Sequence, residues 1–337
     1  SVDISRDGTI AVVGHTLVAN AITKLDLVAR TANTLPVTGA HSKVVRITAD
    51  NQYALVPIDN NVLFVDLATG ATAATLFTGA VGDIELSYDG KYAFVSNSLA
   101  AVIDVASKTI VATLPVGPCD EAAVSPTDYR AVALNNILGE RVHFYHIDGA
   151  ASAVEGSVLS GALPEGDNPH VLALAGDEAT LVVGNQLSGN VSIFDLTTGT
   201  VRAYVDTGVE VTALATTPDG NYAVVADGDS DTVSIVNLAT DAVVATLSVP
   251  EYPFGILVSP DGQTAYVGTG GATDRLYFIQ LAGAASSIVG SVTPGNIGPM
   301  ALSADGSQLG IYNYYDGQFV LIDTATRAVT AQVAVPT

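Results

Sequence analysis

Acidic residues and histidines recur at one position of a repeated sequence pattern, just before or at the start of a short apolar segment. Carboxylates and imidazoles gathered at one rim would bind a cation or a polar ligand, although solvated loop residues account equally well for the pattern. The same position of the repeated pattern also contains Lys43, Tyr252 and Asn296. The candidate ligand-binding residues found by this count are His41, Asp83, Asp120, Glu121, His170, Glu210 and Phe254.

A second pattern is the alternation of carboxylates at Asp227, Asp229 and Asp231. Such hard oxygen ligands are the type that calcium requires. The EF-hand pattern is incomplete, because the position of its bidentate glutamate is occupied by Leu238. Calcium binding is therefore one hypothesis, and ordinary acidic turn residues are the alternative.

Aromatic side chains cluster at Tyr312, Tyr314 and Tyr315. Tyrosines in a loop stack on sugar rings or form protein contacts, and they also pack at the ends of strands. We include Tyr314 and Tyr315 among the candidate ligand-binding residues and leave the packing alternative open.

The sequence carries no established catalytic motif: it has no Gly-x-Ser-x-Gly elbow, His-Glu-x-x-His sequence or phosphate-binding loop. His143 and His146 are three residues apart, and on an extended strand that spacing points the two rings to opposite faces. The single cysteine, Cys119, excludes an internal disulfide. No catalytic residue is predicted.

The composition is strongly acidic, with 34 Asp and Glu against 12 Lys and Arg and a formal net charge of −22. A polyanionic surface repels phosphate backbones and anionic lipids, so nucleic-acid binding is disfavoured. No apolar run approaches the length of a membrane-spanning helix, and we expect no membrane insertion. The single thiol and scarce lysines fit a secreted, periplasmic or cell-surface protein.

The elements that must position these residues are repeated β-strands. Eight turns, many of the form Ser/Thr-x-Asp-Gly, recur at intervals of 38 to 50 residues, each followed by three more strand-like segments. Four short antiparallel strands in about 40 residues are typical of a propeller blade. The turns are Ser5–Gly8, Thr48–Asn51, Ser87–Gly90, Ser125–Asp128, Ala175–Glu178, Thr217–Gly220, Ser259–Gly262 and Ser303–Gly306.

This pattern predicts an all-β, eight-bladed β-propeller as a single domain over residues 1–337. No strand would be exchanged between the first and last blade, and we expect the junction between these two blades to be the weakest. Two longer segments, Ile147–Ser152 and Leu281–Ser286, resemble each other and are interpreted as surface-loop variation. The predicted blades are approximately 1–39, 40–82, 83–120, 121–168, 169–210, 211–252, 253–297 and 298–337.

The repeats resemble the YVTN family of propellers. The residues that carry the resemblance include Ser259–Gly262 with Ala265–Val267, and Phe94–Asn97 with Val102–Asp104. The resemblance implies a secreted, periplasmic or surface-layer protein that acts as a binding or scaffold module. It implies no particular chemistry, because propellers host many functions.

The leading hypothesis is a monomeric binding or scaffold propeller, either a separate protein or a module of a larger surface protein. It would recognise a partner protein, glycan or small ligand through its funnel face, which is formed by the loops before each first strand and between each second and third strand. The alternative is a metal-dependent, lactonase-like hydrolase with an ion held by carboxylates in the central channel. A third hypothesis, a haem carrier using His41 and Lys43, is disfavoured by the scarcity of basic residues. No cofactor is predicted with certainty; calcium is the one candidate.

Overall fold

The computed structural model describes residues 1–15, 20–38, 44–97, 99–115, 119, 121–125, 127–135, 141–159, 168–271, 273–313 and 315–336. Three of the predicted ligand-binding residues, His41, Asp120 and Tyr314, lie outside these ranges. The described residues form eight four-stranded antiparallel sheets and two short 3₁₀ turns.

The strands follow one another in chain order within every sheet. Blade 1 contains β1 (Val2–Ile4), β2 (Ile10–Gly14), β3 (Asn20–Asp26) and β4 (Thr31–Thr38). Blade 2 contains β5 (Arg46–Ile47), β6 (Tyr53–Ile58), β7 (Asn61–Asp66) and β8 (Thr72–Phe77). Blade 3 contains β9 (Val81–Leu86), β10 (Tyr92–Asn97), β11 (Ala100–Asp104) and β12 (Thr109–Leu114). Blade 4 contains β13 (Glu121–Val124), β14 (Arg130–Asn135), β15 (Arg141–His146) and β16 (Ala153–Leu159).

The second half repeats the same order. Blade 5 contains β17 (Pro169–Leu174), β18 (Thr180–Asn185), β19 (Asn190–Asp195) and β20 (Thr200–Asp206). Blade 6 contains β21 (Val211–Thr216), β22 (Tyr222–Asp227), β23 (Thr232–Asn237) and β24 (Ala242–Ser248). Blade 7 contains β25 (Pro253–Val258), β26 (Thr264–Thr269), β27 (Leu276–Gln280) and β28 (Ser287–Val292). Blade 8 contains β29 (Met300–Leu302), β30 (Gln308–Asn313), β31 (Gln318–Asp323) and β32 (Ala328–Ala334).

The predicted fold class is therefore confirmed: the chain is an all-β propeller of eight blades, each built from four consecutive antiparallel strands, with no strand exchanged between the first and last blade. Contacts group the chain into two compact units, which we describe separately. Unit 1 comprises residues 1–120, 146–153 and 298–337, and unit 2 comprises residues 121–145 and 154–297.

The middle strands of most blades are buried on both faces. In β22, Ala223 and Val225 pack in a cluster with blade 5, whereas Val224, between them, packs in a cluster with blade 7. A strand covered on both faces carries a continuous apolar run instead of an apolar–polar alternation. The outermost strand β24, by contrast, contains only exposed and partly buried positions.

The Ser/Thr-x-Asp-Gly turns close on their own side chains. In blade 8 the Ser303 hydroxyl donates to Asp305 Oδ1 at 2.7 Å, and the same carboxylate oxygen accepts the backbone N–H of Ser307 at 3.0 Å. Gly306 occupies the left-handed backbone region with φ of 71°, which glycine adopts without steric cost. These hydrogen bonds, the one from Ser303 first, hold the pKa of Asp305 below its ordinary value.

Each blade has two distinct ends because its strands run alternately up and down. The first strand begins, and the second strand turns into the third, at one end, which we call the rim end. The Ser/Thr-x-Asp-Gly turns lie at the opposite end, the turn end. The described ligand-binding candidates occur at or close to rim ends, as the repeat register predicts.

The two long segments that the sequence suggested to be variable loops are instead packed 3₁₀ turns, Gly149–Ala151 and Gly283–Ala285. Gly149 has φ of 55°, and a Cβ atom added there would lie 2.8 Å from the hydroxyl of Tyr92 in blade 3. Gly283 has φ of 58°, and a Cβ atom added there would lie 2.7 Å from the hydroxyl of Tyr222 in blade 6. Each turn thus docks on the tyrosine of the preceding blade.

In unit 1, blades 1 and 8 meet through apolar side chains and through a buried polar contact. Ile4 and Leu25 of blade 1 share a core cluster with Phe319 of blade 8. The Tyr312 hydroxyl lies 3.3 Å from His15 Nδ1, and the two rings meet edge to face. We predict that amide hydrogens at this junction exchange faster than those at the other blade junctions. Slower exchange there would contradict the prediction.

We predict that Gly149→Ala destabilises the protein by about 1–3 kcal/mol, because the new methyl group both strains the left-handed backbone and displaces Tyr92. Equilibrium denaturation in urea measures the change. The matched control is Gly199→Ala, where φ is 67° but no atom lies within 4 Å of the added Cβ. Equal losses in the two variants would show that the contact with Tyr92 adds no stability.

Candidate functional site

The rim ends of blades 5, 6 and 7 in unit 2 share one backbone device. The residue immediately before the first strand of each of these blades has a left-handed backbone angle: φ is 47° at Asn168, 63° at Glu210 and 54° at Tyr252. The carbonyl of each accepts an N–H from the residue that follows the second strand of the same blade. These donors are Gln186 at 3.0 Å, Gly228 at 2.8 Å and Gly270 at 3.1 Å.

Polar side chains then tie each of these rim ends to the next blade. Gln186 Nε2 of blade 5 donates to Glu210 Oε1 at 2.8 Å. In the next pair, the backbone N–H of Tyr252 donates to Asp231 Oδ1 of blade 6 at 2.8 Å. Asn296 Nδ2 continues the series by donating to Asp274 Oδ2 of blade 7 at 2.6 Å. The connecting loops are therefore fixed by hydrogen bonds that cross from blade to blade.

Glu210 lies at the centre of this arrangement. Its carboxylate stands beside that of Asp229 and is the first cause of a raised pKa of Asp229, because two adjacent negative charges repel. Burial, followed by a hydrogen bond with Glu210, raises the pKa of the Tyr252 phenol. Glu210 thus gathers an amide, a phenol and a second carboxylate around one point.

Three exposed apolar side chains flank the acidic residues: Leu187 is 70% exposed, Val209 61% and Tyr252 36%. Their loops are in contact. A Cβ atom added to Gly189, two residues after Leu187, would lie 3.5 Å from the Cα of Val209, and the backbone N–H of Thr207 donates to the Gly189 carbonyl at 3.1 Å. We call Leu187, Val209 and Tyr252, with Glu210 and Asp229, the rim patch.

The three aspartates of the calcium hypothesis point in different directions. Asp227 is completely buried and accepts the Ser234 hydroxyl through Oδ2 at 2.8 Å, whereas Asp229 and Asp231 are exposed. Asp231 is engaged by the backbone of Tyr252. Within the part of the chain that the structure describes, no group of three His, Cys, Asp or Glu residues is arranged to hold a metal ion. Calcium binding stays a prediction, and titration with calcium while following thermal unfolding tests it.

Asp227 occupies the position that Asn185 holds in blade 5. There Asn185 Nδ2 donates to Ser192 at 2.8 Å, and in blade 6 the Ser234 hydroxyl donates to the aspartate instead. Asp227 Oδ1 has no hydrogen-bond partner. Burial raises the pKa of Asp227, because a carboxylate loses hydration when it leaves water.

In unit 1, Asp83 belongs to a group of charged side chains on the first strands of blades 1 to 3. Arg46 forms salt bridges with Glu85 and, at 3.8 Å, with Asp83. Burial alone would lower the pKa of Arg46, but these carboxylates hold it above its ordinary value. Asp3 Oδ2 accepts the backbone N–H of Ile47 at 2.7 Å. The group therefore links the three blades.

The remaining described candidates are not members of the rim patch. Glu121 and His170 are exposed at the start of their strands, and Phe254 packs near Gly270, where an added Cβ atom would be 3.0 Å from its ring. Tyr315 is 73% exposed in unit 1. Sequence reasoning missed Gln186, Leu187 and Val209; the signal that locates the first two is the loop after each second strand, used above only for blades 6 and 8.

Comparison with known proteins identifies the fold without a family. No protein-family model matches this chain, and no curated protein matches it. The YVTN resemblance therefore remains an interpretation of the repeats.

Solved structures match over most of the chain. A chain of a mitotic checkpoint complex has a TM-score of 0.63 and 18% identity, covering 82% of this chain and 92% of that chain. Kuenenia stuttgartiensis hydrazine synthase has a TM-score of 0.62 and 18% identity, and the match covers 86% of this chain and 99% of that chain. A dihydro-heme d1 dehydrogenase in complex with DHE has a TM-score of 0.74 and 15% identity, and the match covers 97% of this chain and 73% of that chain. At these identities the similarity shows the propeller fold alone. The described residues contain no helix with the length and hydrophobicity required to span a membrane.

We predict that Asp227→Asn stabilises the protein by about 1–3 kcal/mol at pH 7, because folding then no longer transfers an ionised carboxylate from water to the protein interior. A raised pKa in the folded state means that the unfolded chain ionises first as the pH rises. The stability gained by the substitution is therefore greatest at neutral pH and shrinks as the pH falls towards the pKa of a free aspartate.

Urea denaturation at pH 7 and pH 4 measures this difference. The reciprocal variant Asn185→Asp, which places the same carboxylate in blade 5, should lose stability at pH 7 and recover part of it at pH 4. A loss of stability in Asp227→Asn at both pH values would contradict the prediction.

Proposed function

We propose that this protein is a non-enzymatic binding propeller that recognises a partner protein through the rim patch of blades 5 to 7. The observation that carries the proposal is the exposure of Leu187, Val209 and Tyr252 on loops that are fixed by hydrogen bonds between blades. Apolar side chains on pre-organised loops bind partners well, because little conformational entropy is lost on association.

Two features of the patch support binding of a protein. Its aromatic and aliphatic side chains are surrounded by polar ones, which is the composition of interface hot spots with a polar rim. Its hydrogen bonds join consecutive blades, so that the exposed side chains keep fixed spacings. The propeller fold itself is compatible with many functions and adds no preference among them.

The proposal includes a location outside the cytoplasm. The scarcity of lysine and the single, buried Cys119 are compatible with an oxidising compartment. Fractionation of cells that produce the full-length protein, with detection by antibody, tests the location independently of binding.

We predict that Leu187→Ser/Val209→Ser weakens binding to the protein's partners by at least about tenfold, because losing apolar contact at an interface centre costs on the order of 2 kcal/mol. Arrays of purified proteins and of glycans, probed with labelled wild type, identify binders, and titration of each binder with the variant measures the loss.

The matched control is Val28→Ser, which changes a valine that is 76% exposed in the loop between β3 and β4, at the turn end of blade 1. It should leave binding unchanged. Thermal unfolding confirms that both variants are folded. An array without protein binders, or binders indifferent to the double substitution, would refute the proposed function.

A further inference from the structure

The acidic residues of the rim patch indicate the chemistry of the partner. We propose that the patch binds a basic peptide segment, in which a Lys or Arg side chain lies against Glu210 and Asp229 while a neighbouring apolar side chain contacts Leu187 and Val209. This inference rests on the proposed function and adds to it the class of segment that is recognised.

Negative charge is concentrated in consecutive rim loops of unit 2. Glu210, Asp229, Asp231 and Glu251 all lie there, and none of the four forms a salt bridge within the described part of the chain. The nearest basic residues in sequence on either side, Arg202 and Arg275, form no salt bridge with these four carboxylates either. Unneutralised carboxylates on neighbouring loops attract a cationic ligand over several ångströms.

Glu210 and Asp229 supply the most favourable point for a cation. The two carboxylates are close enough for the charge of Glu210 to act on Asp229. Glu210 Oε1 already accepts the Gln186 amide at 2.8 Å, which fixes the orientation of the carboxylate. A guanidinium or ammonium group placed beside the pair would relieve their repulsion and donate charge-assisted hydrogen bonds.

The apolar side chains give the segment its second requirement. Leu187 and Val209 are more than half exposed, and each is the sequence neighbour of a residue in the acidic network, Gln186 or Glu210. A partner residue that reached the carboxylates would therefore have its neighbours beside aliphatic surface. A free metal ion would not use that surface, and an anionic glycan would be repelled.

The basic residues of unit 2 with described bonds at the turn ends are engaged with neighbouring blades. Arg130 Nη1 donates to the Glu178 carbonyl at 3.0 Å. Arg202 donates to the Leu238 carbonyl at 2.6 Å and forms a salt bridge with Asp241 at 2.8 Å. Their charge is thereby held at the end of the blades opposite to the patch, whereas Arg141, at the start of a third strand, and Arg275, between a second and a third strand, lie at rim ends.

Selection from a phage-displayed library of random twelve-residue peptides on the immobilised full chain tests this inference. The enriched peptides should carry Lys or Arg within two positions of an aliphatic or aromatic residue. The most enriched peptide, made synthetically, should bind at least about fivefold more weakly to Asp229→Asn than to wild type. Its affinity should fall by about tenfold between 50 mM and 500 mM NaCl, because salt screens exposed charges.

Glu155→Gln is the matched control, since it removes one exposed carboxylate from the outermost strand of blade 4 and should leave affinity unchanged. Charge reversal supplies a second measurement: Asp229→Lys should prefer the same peptide with its basic residue changed to Glu. This reversed preference would support direct pairing between the side chain at position 229 and that residue of the peptide.

Three results would overturn the inference. They are a library without enriched peptides, enriched peptides that lack basic residues, and binding that is indifferent to Asp229→Asn and to salt. If such peptides or the array binders still lose affinity in Leu187→Ser/Val209→Ser, the proposed function survives and only the basic character of the segment is rejected. Loss of all dependence on Leu187 and Val209 rejects both.

Discussion

A four-stranded sheet of about 40 residues has two faces, and it cannot bury both of them alone. The middle strands of this protein are apolar on both faces, as Ala223, Val224 and Val225 show by packing alternately towards the preceding and the following blade. Every blade therefore depends on its neighbours for its core. Because the faces are consumed by this packing, only the two ends of each blade and its outermost strand remain to meet other molecules.

The two ends use different physical solutions to the problem of joining strands. At the turn end, a hydroxyl, a carboxylate and a left-handed glycine close the chain locally, as Ser303, Asp305 and Gly306 do. At the rim ends of blades 5 to 7, the side-chain hydrogen bonds run between blades, with Gln186 bound to Glu210 and Asp231 to Tyr252. A local closure can be repeated eight times unchanged, whereas a bond between blades depends on the particular pair, and it is there that individual residues acquire individual roles.

The sequence predicts the fold well because most turns carry their structure in local chemistry: a hydroxyl two residues before an aspartate and a glycine after it define the register of five of the eight blades. It predicts the candidate site only in part. Glu210 is found from register, but the count does not show that Asp227 is buried against Ser234. Nothing in a single sequence distinguishes this buried carboxylate from the exposed ones of Asp229 and Asp231. Tyr312 likewise turns to His15, a residue almost the whole chain away. Pairings of this kind depend on three-dimensional neighbours that spacing does not reveal.

The packed 3₁₀ turns also bear on how such a protein can be rebuilt. Gly149 is in the turn of blade 4 but its tyrosine, Tyr92, is in blade 3, and Gly283 and Tyr222 divide in the same way between blades 7 and 6. A chimaera that imported blade 4 or blade 7 by itself would carry the 3₁₀ turn without the tyrosine against which that turn packs. The exchangeable unit at these two places is therefore a pair of adjacent blades, although the strands of each blade are contiguous in the chain and could be cut singly elsewhere.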